Sequence, residues 1–136
     1  MVAKSVYINL PVSNLSQTRA FWTNLGFGFN EQFSDDKALC LVLNEGKIYA
    51  MLITHEFFST FTNRPIADRS TTQVLIAIEV DSRTEVDHTI KLALANGGSR
   101  YRDGQDYGWM YYDSFSDPDG HQWEVMFNDP SQIPNT

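Results

Sequence analysis

The chain has 136 residues, of which 42% are hydrophobic, a balance that suits one folded domain and excludes a disordered chain. Its formal charge is −7 and its ten basic residues are scattered, which excludes a nucleic-acid binder that tracks phosphates with clustered Lys and Arg. No apolar run approaches membrane-spanning length, Met1-Val2-Ala3-Lys4-Ser5 lacks the apolar stretch of a signal peptide, and the single cysteine, Cys40, rules out an internal disulfide.

A reducing, cytoplasmic setting is therefore expected. Val6, Ile8, Leu10 and Val12 alternate with polar or exposed-type residues, which predicts a half-buried strand. Asn14, followed three residues later by Gln17, has the pattern of a capping box. Thr18, Phe21, Trp22 and Leu25 keep helical spacing after it, and Gly26 supplies a stop. Three strand-like stretches follow, at about residues 27–33, 37–43 and 47–54, separated by the turns Ser34-Asp35-Asp36 and Asn44-Glu45-Gly46. Cys40 lies in the apolar run Ala38-Leu39-Cys40-Leu41-Val42-Leu43 and reads as a buried, inert thiol. A long connector carrying Phe57, Phe58, Phe61 and Pro65 comes next, long enough to hold a short helix of its own.

The pattern then restarts. Val74 to Val80 places apolar residues at every even position, and Ser82 with Glu85 gives a second capping box. Val86, Ile90, Ala93 and Leu94 form a helical stripe that Gly97-Gly98 ends. Strands are expected near residues 99–102, 109–115 and 122–127, with the turn Ser116-Asp117-Pro118-Asp119-Gly120 between the last two. The tail, Ser131 to Thr136, reads as frayed. A shift of 68 positions lays Val6 on Val74, Ile8 on Ile76, Val12 on Val80 and Asn14 on Ser82, so register and cap repeat together. The expected fold is α+β: two tandem βαβββ modules forming a curved mixed sheet around a ligand cavity. It is read as a single domain over 1–136, with module one at about 4–54, a connector at 55–70 and module two at about 71–128. In each module the even face of the leading strand should pack under the helix. The odd face, with Tyr7 and Asn9 or Leu75 and Ala77, should point into a shared concavity.

Asn9-Leu10-Pro11-Val12-Ser13-Asn14-Leu15, with Ala20-Phe21-Trp22 and Leu25-Gly26-Phe27 behind it, resembles the opening of the vicinal-oxygen-chelate proteins, the glyoxalase, bleomycin-resistance and extradiol dioxygenase superfamily. Ser116-Asp117-Pro118-Asp119-Gly120-His121-Gln122-Trp123-Glu124 resembles their closing strand, and the resemblance covers about residues 4–128. The fold hosts isomerases, dioxygenases, fosfomycin-modifying transferases and drug-sequestering proteins, so it does not fix an activity. Metal-dependent members of that family offer His, Glu or Gln, His and Glu from four strands. Carried over by position, those ligands fall on Tyr7, Met51, Leu75 and Glu124, of which only Glu124 matches. Three unmatched positions leave a poor cage for a divalent ion, so no metal and no other cofactor is expected.

Glu124 is the candidate catalytic residue, an acid or base or the partner of a cationic ligand; the plainer alternative is a carboxylate satisfied by a backbone amide or by Tyr7. The cavity set is Tyr7, Asn9, Met51, Leu75, Tyr107, Trp109, Tyr111 and Glu124. Aromatics such as these either wall a cavity around a planar or cationic ligand or fill core and interface. His55, His88 and His121 are each badly placed to assist Glu124, and Asp117 and Asp119 read as turn residues. Three functions follow. The first is a metal-free protein that binds a cationic or aromatic small molecule, as bleomycin-resistance proteins do, typically as a homodimer and without nucleic-acid or membrane partners. The second is a lyase, isomerase or dioxygenase with an atypical site. The third is an interaction module that kept the fold and lost the site.

Overall fold

A computed structural model describes residues 1–134; Asn135 and Thr136, the end of the expected frayed tail, lie outside the described residues. The chain divides into two compact units, Met1–Asp68 and Arg69–Thr136.

In unit 1, β1 (Val6–Val12) leads into α1 (Leu15–Asn24). Asn14 caps that helix, its Oδ1 accepting the Gln17 N–H at 2.9 Å. Leu25 closes α1, and Gly26 turns the chain away at φ +98°, a conformation that costs other residues a clash at Cβ. β2 (Gly28–Phe29), β3 (Ala38–Asn44) and β4 (Ile48–Thr54) complete the sheet, whose order is β1-β4-β3-β2. β1 runs parallel to β4, and the remaining pairs are antiparallel. A one-turn helix, α2 (His55–Phe58), opens the connector.

Unit 2 repeats the plan. β5 (Leu75–Glu79) is followed by α3 (Arg83–Ala95), β6 (Gln105–Asp106), β7 (Met110–Ser116) and β8 (Gln122–Asn128), in the order β5-β8-β7-β6. β5 is again parallel to β8. At the start of α3 the Ser82 Oγ accepts the Glu85 N–H at 3.1 Å, while Glu85 reaches back to the Asp81 N–H at 2.7 Å. The architecture is α+β, two four-stranded mixed sheets with a few helices, and neither sheet closes on itself.

The alternation holds along β5 and through the first part of β1, whose last three residues, Pro11 included, are all buried. Leu10, Val12 and Ile76 are buried, whereas Tyr7 is 46% and Leu75 53% exposed. Only the first even residues, Val6 and Val74, remain open to solvent. The core of unit 1 joins Leu10, Leu41 and Leu52 to Phe21 and Trp22, whose rings meet edge to face at 5.3 Å. That of unit 2 joins Val86, Ile90 and Ala93 of α3 to Phe115 and Trp123, whose rings lie nearly parallel at 6.4 Å. Cys40 is fully buried, and burial pushes its thiol pKa up, so it is inert as a nucleophile.

Four local expectations need correction. The stretch 27–33 is strand only at Gly28–Phe29, then a 3-10 turn over Glu31–Phe33. Asn30 causes the change: its side chain accepts the Gln32 N–H at 3.1 Å, and its carbonyl accepts the Ser34 hydroxyl at 2.7 Å. The stretch 99–102 contributes one bridge, Ser99 with Ser116, and the strand begins only at Gln105. Side chains hold this segment instead of a ladder, with Arg100 paired to the buried Asp113. Leu94 belongs to no buried stripe and is 39% exposed. Ser131, in the expected frayed tail, sits in a 3-10 turn (Pro130–Gln132) and is held by Asp129.

Candidate functional site

Strand parity decides what each sheet shows on its uncovered face. In unit 1 that face carries Tyr7 and Asn9 from β1 and their register partners Tyr49 and Met51 from β4. The Tyr7 ring stacks on Tyr49 at 4.6 Å and 9°, and the Tyr49 hydroxyl accepts the Gly46 N–H at 2.7 Å. Tyr7 and Met51 border a shallow hollow of about 490 Å³ with Gln32, Phe33, Ser34 and Asp35. Asn9 is exposed beside Met51 but does not line it.

In unit 2 the same parity brings Ala77 of β5 opposite Glu124 of β8. Glu124, Ala77, Tyr107, Met110, Tyr112 and Met126 line a hollow of about 310 Å³. The Tyr107 and Tyr112 rings lie 6.4 Å apart at 29°. Leu75 is exposed on the same parity, two residues before Ala77. Because Ala77 follows Asn9 by the repeat length, Glu124 is the counterpart of Met51.

Four residues of the expected set, Asn9, Leu75, Trp109 and Tyr111, line neither hollow. Tyr111, between Met110 and Tyr112 on β7, turns to α3, where its hydroxyl bonds Asp87 and the Arg83 guanidinium lies 5.0 Å from its ring. The bond to Asp87 holds the Tyr111 hydroxyl protonated and, with burial, pushes its pKa up to about 12. Arg83 also grips Asp106 at 2.6 and 3.0 Å and the Gly108 carbonyl at 3.1 Å, which ties α3 to the segment before β7. Trp109 is half-buried ahead of β7, its carbonyl accepting the Asp129 N–H at 2.7 Å. Tyr111 thus ties β7 to α3 within unit 2.

Met110, Tyr112 and Met126 enter the hollow by the same period of two that placed Glu124, so alternation along β7 and β8 could have found them. Tyr101 carried no such signal. It sits in the irregular segment before β6, and burial pushes its hydroxyl pKa up; a hydrogen bond with Ser114 opposes this, and the Glu124 charge adds to it. The turn after β7 is tied down by Asp117, which is buried. Its Oδ1 accepts the Asp119 and His121 N–H groups at 3.0 Å each, and its Oδ2 accepts the Trp123 Nε1–H at 3.1 Å. That carboxylate starts β8 and so sets the register that carries Glu124.

A divalent ion does not fit the four family positions. Tyr7 offers a phenol, Met51 a thioether, Leu75 nothing and Glu124 one carboxylate, where hard or borderline ions want several oxygens or imidazoles. Among the described residues no three His, Cys, Asp or Glu side chains gather into a group that could hold a metal. No helix among them is long and apolar enough to cross a membrane.

Similarity to known proteins follows this geometry. A hypothetical protein from S. aureus is 24% identical, with 93% of this chain and 95% of that one covered and a TM-score of 0.77. A glyoxalase-related enzyme from Fulvimarina pelagi is 20% identical over 93% and 89% of the two chains, with a TM-score of 0.78. A bleomycin resistance determinant encoded on the transposon Tn5 is 18% identical over 93% and 99%, with a TM-score of 0.64. At such identities the likeness establishes the fold alone. No curated protein is matched by this sequence. The family profile described as Glyoxalase/Bleomycin resistance protein/Dioxygenase superfamily matches residues 4–125, nearly the whole chain, and the protein belongs to that superfamily.

Proposed function

We propose that the protein is a small-molecule binding member of the superfamily that works without a resident metal ion and takes a cationic or aromatic ligand on the open faces of its sheets. The observation that carries this reading is the donor set: three of the four positions that hold the ion in metal-dependent relatives are Tyr7, Met51 and Leu75. Rings and thioethers wall the unit 2 hollow around one carboxylate, and in unit 1 Tyr7, Phe33 and Met51 stand beside Gln32, Ser34 and Asp35, a mixed lining of the kind that orients a ligand. A formal charge of −7 favours cationic over anionic ligands. The similarity to a bleomycin resistance determinant points the same way, and a cytoplasmic homodimer completes the reading.

The test is a thermal-shift screen on purified protein whose metal content has been measured. Planar cationic compounds should raise the melting temperature, since a ligand at a hundred times its Kd stabilises by about 2.7 kcal/mol. A stoichiometric divalent ion in the purified protein, or silence across cationic and acidic compounds alike, would overturn the proposal.

One observation favours a second reading. Glu124 and Tyr101 place a carboxylate near a phenol with a raised pKa, a pair able to move a proton on a small oxygenated substrate. If a substrate is turned over, Glu124→Gln should abolish the rate; an unchanged rate removes this alternative.

A further inference from the structure

The acids of unit 2 are mostly spoken for. Asp106 is held by Arg83, Asp113 by Arg100, Asp87 by the Tyr111 hydroxyl, and Asp117 by Trp123 and two backbone N–H groups. Glu124 is the contrast. It is half-buried, yet among the described residues of its unit no hydrogen bond or ion pair reaches its carboxylate. Its oxygens are not buried, so the carboxylate stands open to a cationic group arriving from solvent.

The hollow around it says what that something is. No Lys or Arg lines it, and Tyr107 and Tyr112 contribute two rings that lie 6.4 Å apart at 29°. Ring faces attract cations and repel anions. Met110 and Met126 complete the wall with flexible, polarisable thioethers that adapt to methyl or methylene groups. Glu79 stands on the same face of β5, beside Met126 in the register, and adds a second negative charge. A volume of about 310 Å³ accommodates one headgroup and part of what it is attached to.

From this arrangement we infer that the unit 2 hollow is an alkylammonium subsite. Glu124 is the counter-charge, Tyr107 and Tyr112 supply the aromatic wall, and Met110 and Met126 contact the alkyl groups. The inference rests on the binding reading above and adds which end of the ligand is recognised and where. In the unit 1 hollow Met51 stands in place of Glu124, and the carboxylate there, Asp35, is already engaged by the Lys37 and Ala38 N–H groups.

The four methionines make the test direct, because Met110 and Met126 report the subsite, Met51 the other hollow and Met1 the solvent. The full chain, labelled with carbon-13 at its methionine methyls, is titrated with choline and with the uncharged isostere in which a tert-butyl group replaces the trimethylammonium. Choline should move the Met110 and Met126 signals saturably and leave Met51 and Met1 still, and the isostere should bind at least about tenfold more weakly. Glu124→Gln should lose at least about tenfold in choline affinity with the other methyl signals unchanged. Tyr107→Ala, at an exposed ring, should lose severalfold and serves if the first variant misfolds.

Equal binding of the isostere, undiminished affinity in Glu124→Gln, shifts at Met51 alone, or no shift at all would overturn the subsite. If the thermal screen finds a ligand while Met110 and Met126 stay still, the subsite falls and the binding reading stands. If nothing raises the melting temperature, both fall.

Discussion

The two units reach the same topology with their bulk in opposite places. In unit 1 the helix supplies the large rings, Phe21 and Trp22, and the central strand answers with Ala50. In unit 2 the strand supplies Trp123, at the position equivalent to Ala50, and the helix answers with Val86, Ile90 and Ala93. A layer between helix and sheet has one thickness to fill, so size can move across it while the total is kept. The uncovered faces obey no such sum. There Met51 stands where unit 2 has Glu124, and Tyr49 stands where unit 2 has Gln122, which bonds Thr72 instead of a turn N–H. Duplication has preserved backbone devices and packed volume, and it has let the open side chains diverge.

The sharpest way to break this comparison is to empty or overfill one side. Trp123→Ala should cost about 3–5 kcal/mol in denaturant unfolding, as should Trp22→Ala, because each is the largest ring in its layer. Ala50→Trp, which gives unit 1 a ring on both sides, should also destabilise it, by about 1–3 kcal/mol or more. A neutral result for Ala50→Trp would show that the layers are not volume-matched.

Next come the glycines after the helices. A Cβ on Gly98 would lie 2.8 Å from the Ala93 carbonyl oxygen and 2.9 Å from that of Ser116, both backbone, so Gly98→Ala should cost about 3 kcal/mol. Gly26 meets nothing within 4 Å, and Gly26→Ala should cost only the strain of its positive φ, about 1–2 kcal/mol. The order of the two, read from unfolding midpoints, is the test.

The caps give a smaller contrast. Asn14→Ala and Ser82→Ala should each cost about 1 kcal/mol. Glu85→Ala should add a few tenths because it frees the Asp81 N–H, whereas Gln17→Ala should cost close to nothing, since only its backbone N–H takes part in the box.

The smallest effect is a titration. One of the six tyrosines, Tyr111, should ionise near 12, and Asp87→Asn should bring that value down. A tyrosine whose folded pKa is raised contributes stability that is fully present below its ordinary value near 10 and is lost as pH climbs towards 12. The ultraviolet absorbance of phenolate against pH follows it, and an unchanged curve in Asp87→Asn would show that the bond does not control the proton.

Much of this architecture was legible in one dimension. Strand alternation at Val6–Val12 and Leu75–Glu79, the Asn14 and Ser82 caps, and the repeat between the halves all come from neighbours within a few residues, where period and capping chemistry act. The same parity placed Tyr7 and Leu75 on uncovered faces, and the residues that the family resemblance carries to its ligand positions, Tyr7, Met51, Leu75 and Glu124, argued against a metal cage there. The short strand Gly28–Phe29 and the irregular path from Ser99 to Gly104 were not legible: Asn30 took its partners in a local turn with Gln32 and Ser34, while Arg100 and Tyr101 found Asp113 and Ser114 further along the chain instead of a ladder. Nor was the fate of Tyr111 or Trp109. An aromatic on a strand has the same local pattern whichever neighbour it finds, and only the packing of α3 against β7 put Asp87 and Arg83 within its reach. Local periodicity is set by backbone geometry that every residue shares, whereas the partner of a polar tip is set by whatever the folded chain brings alongside it.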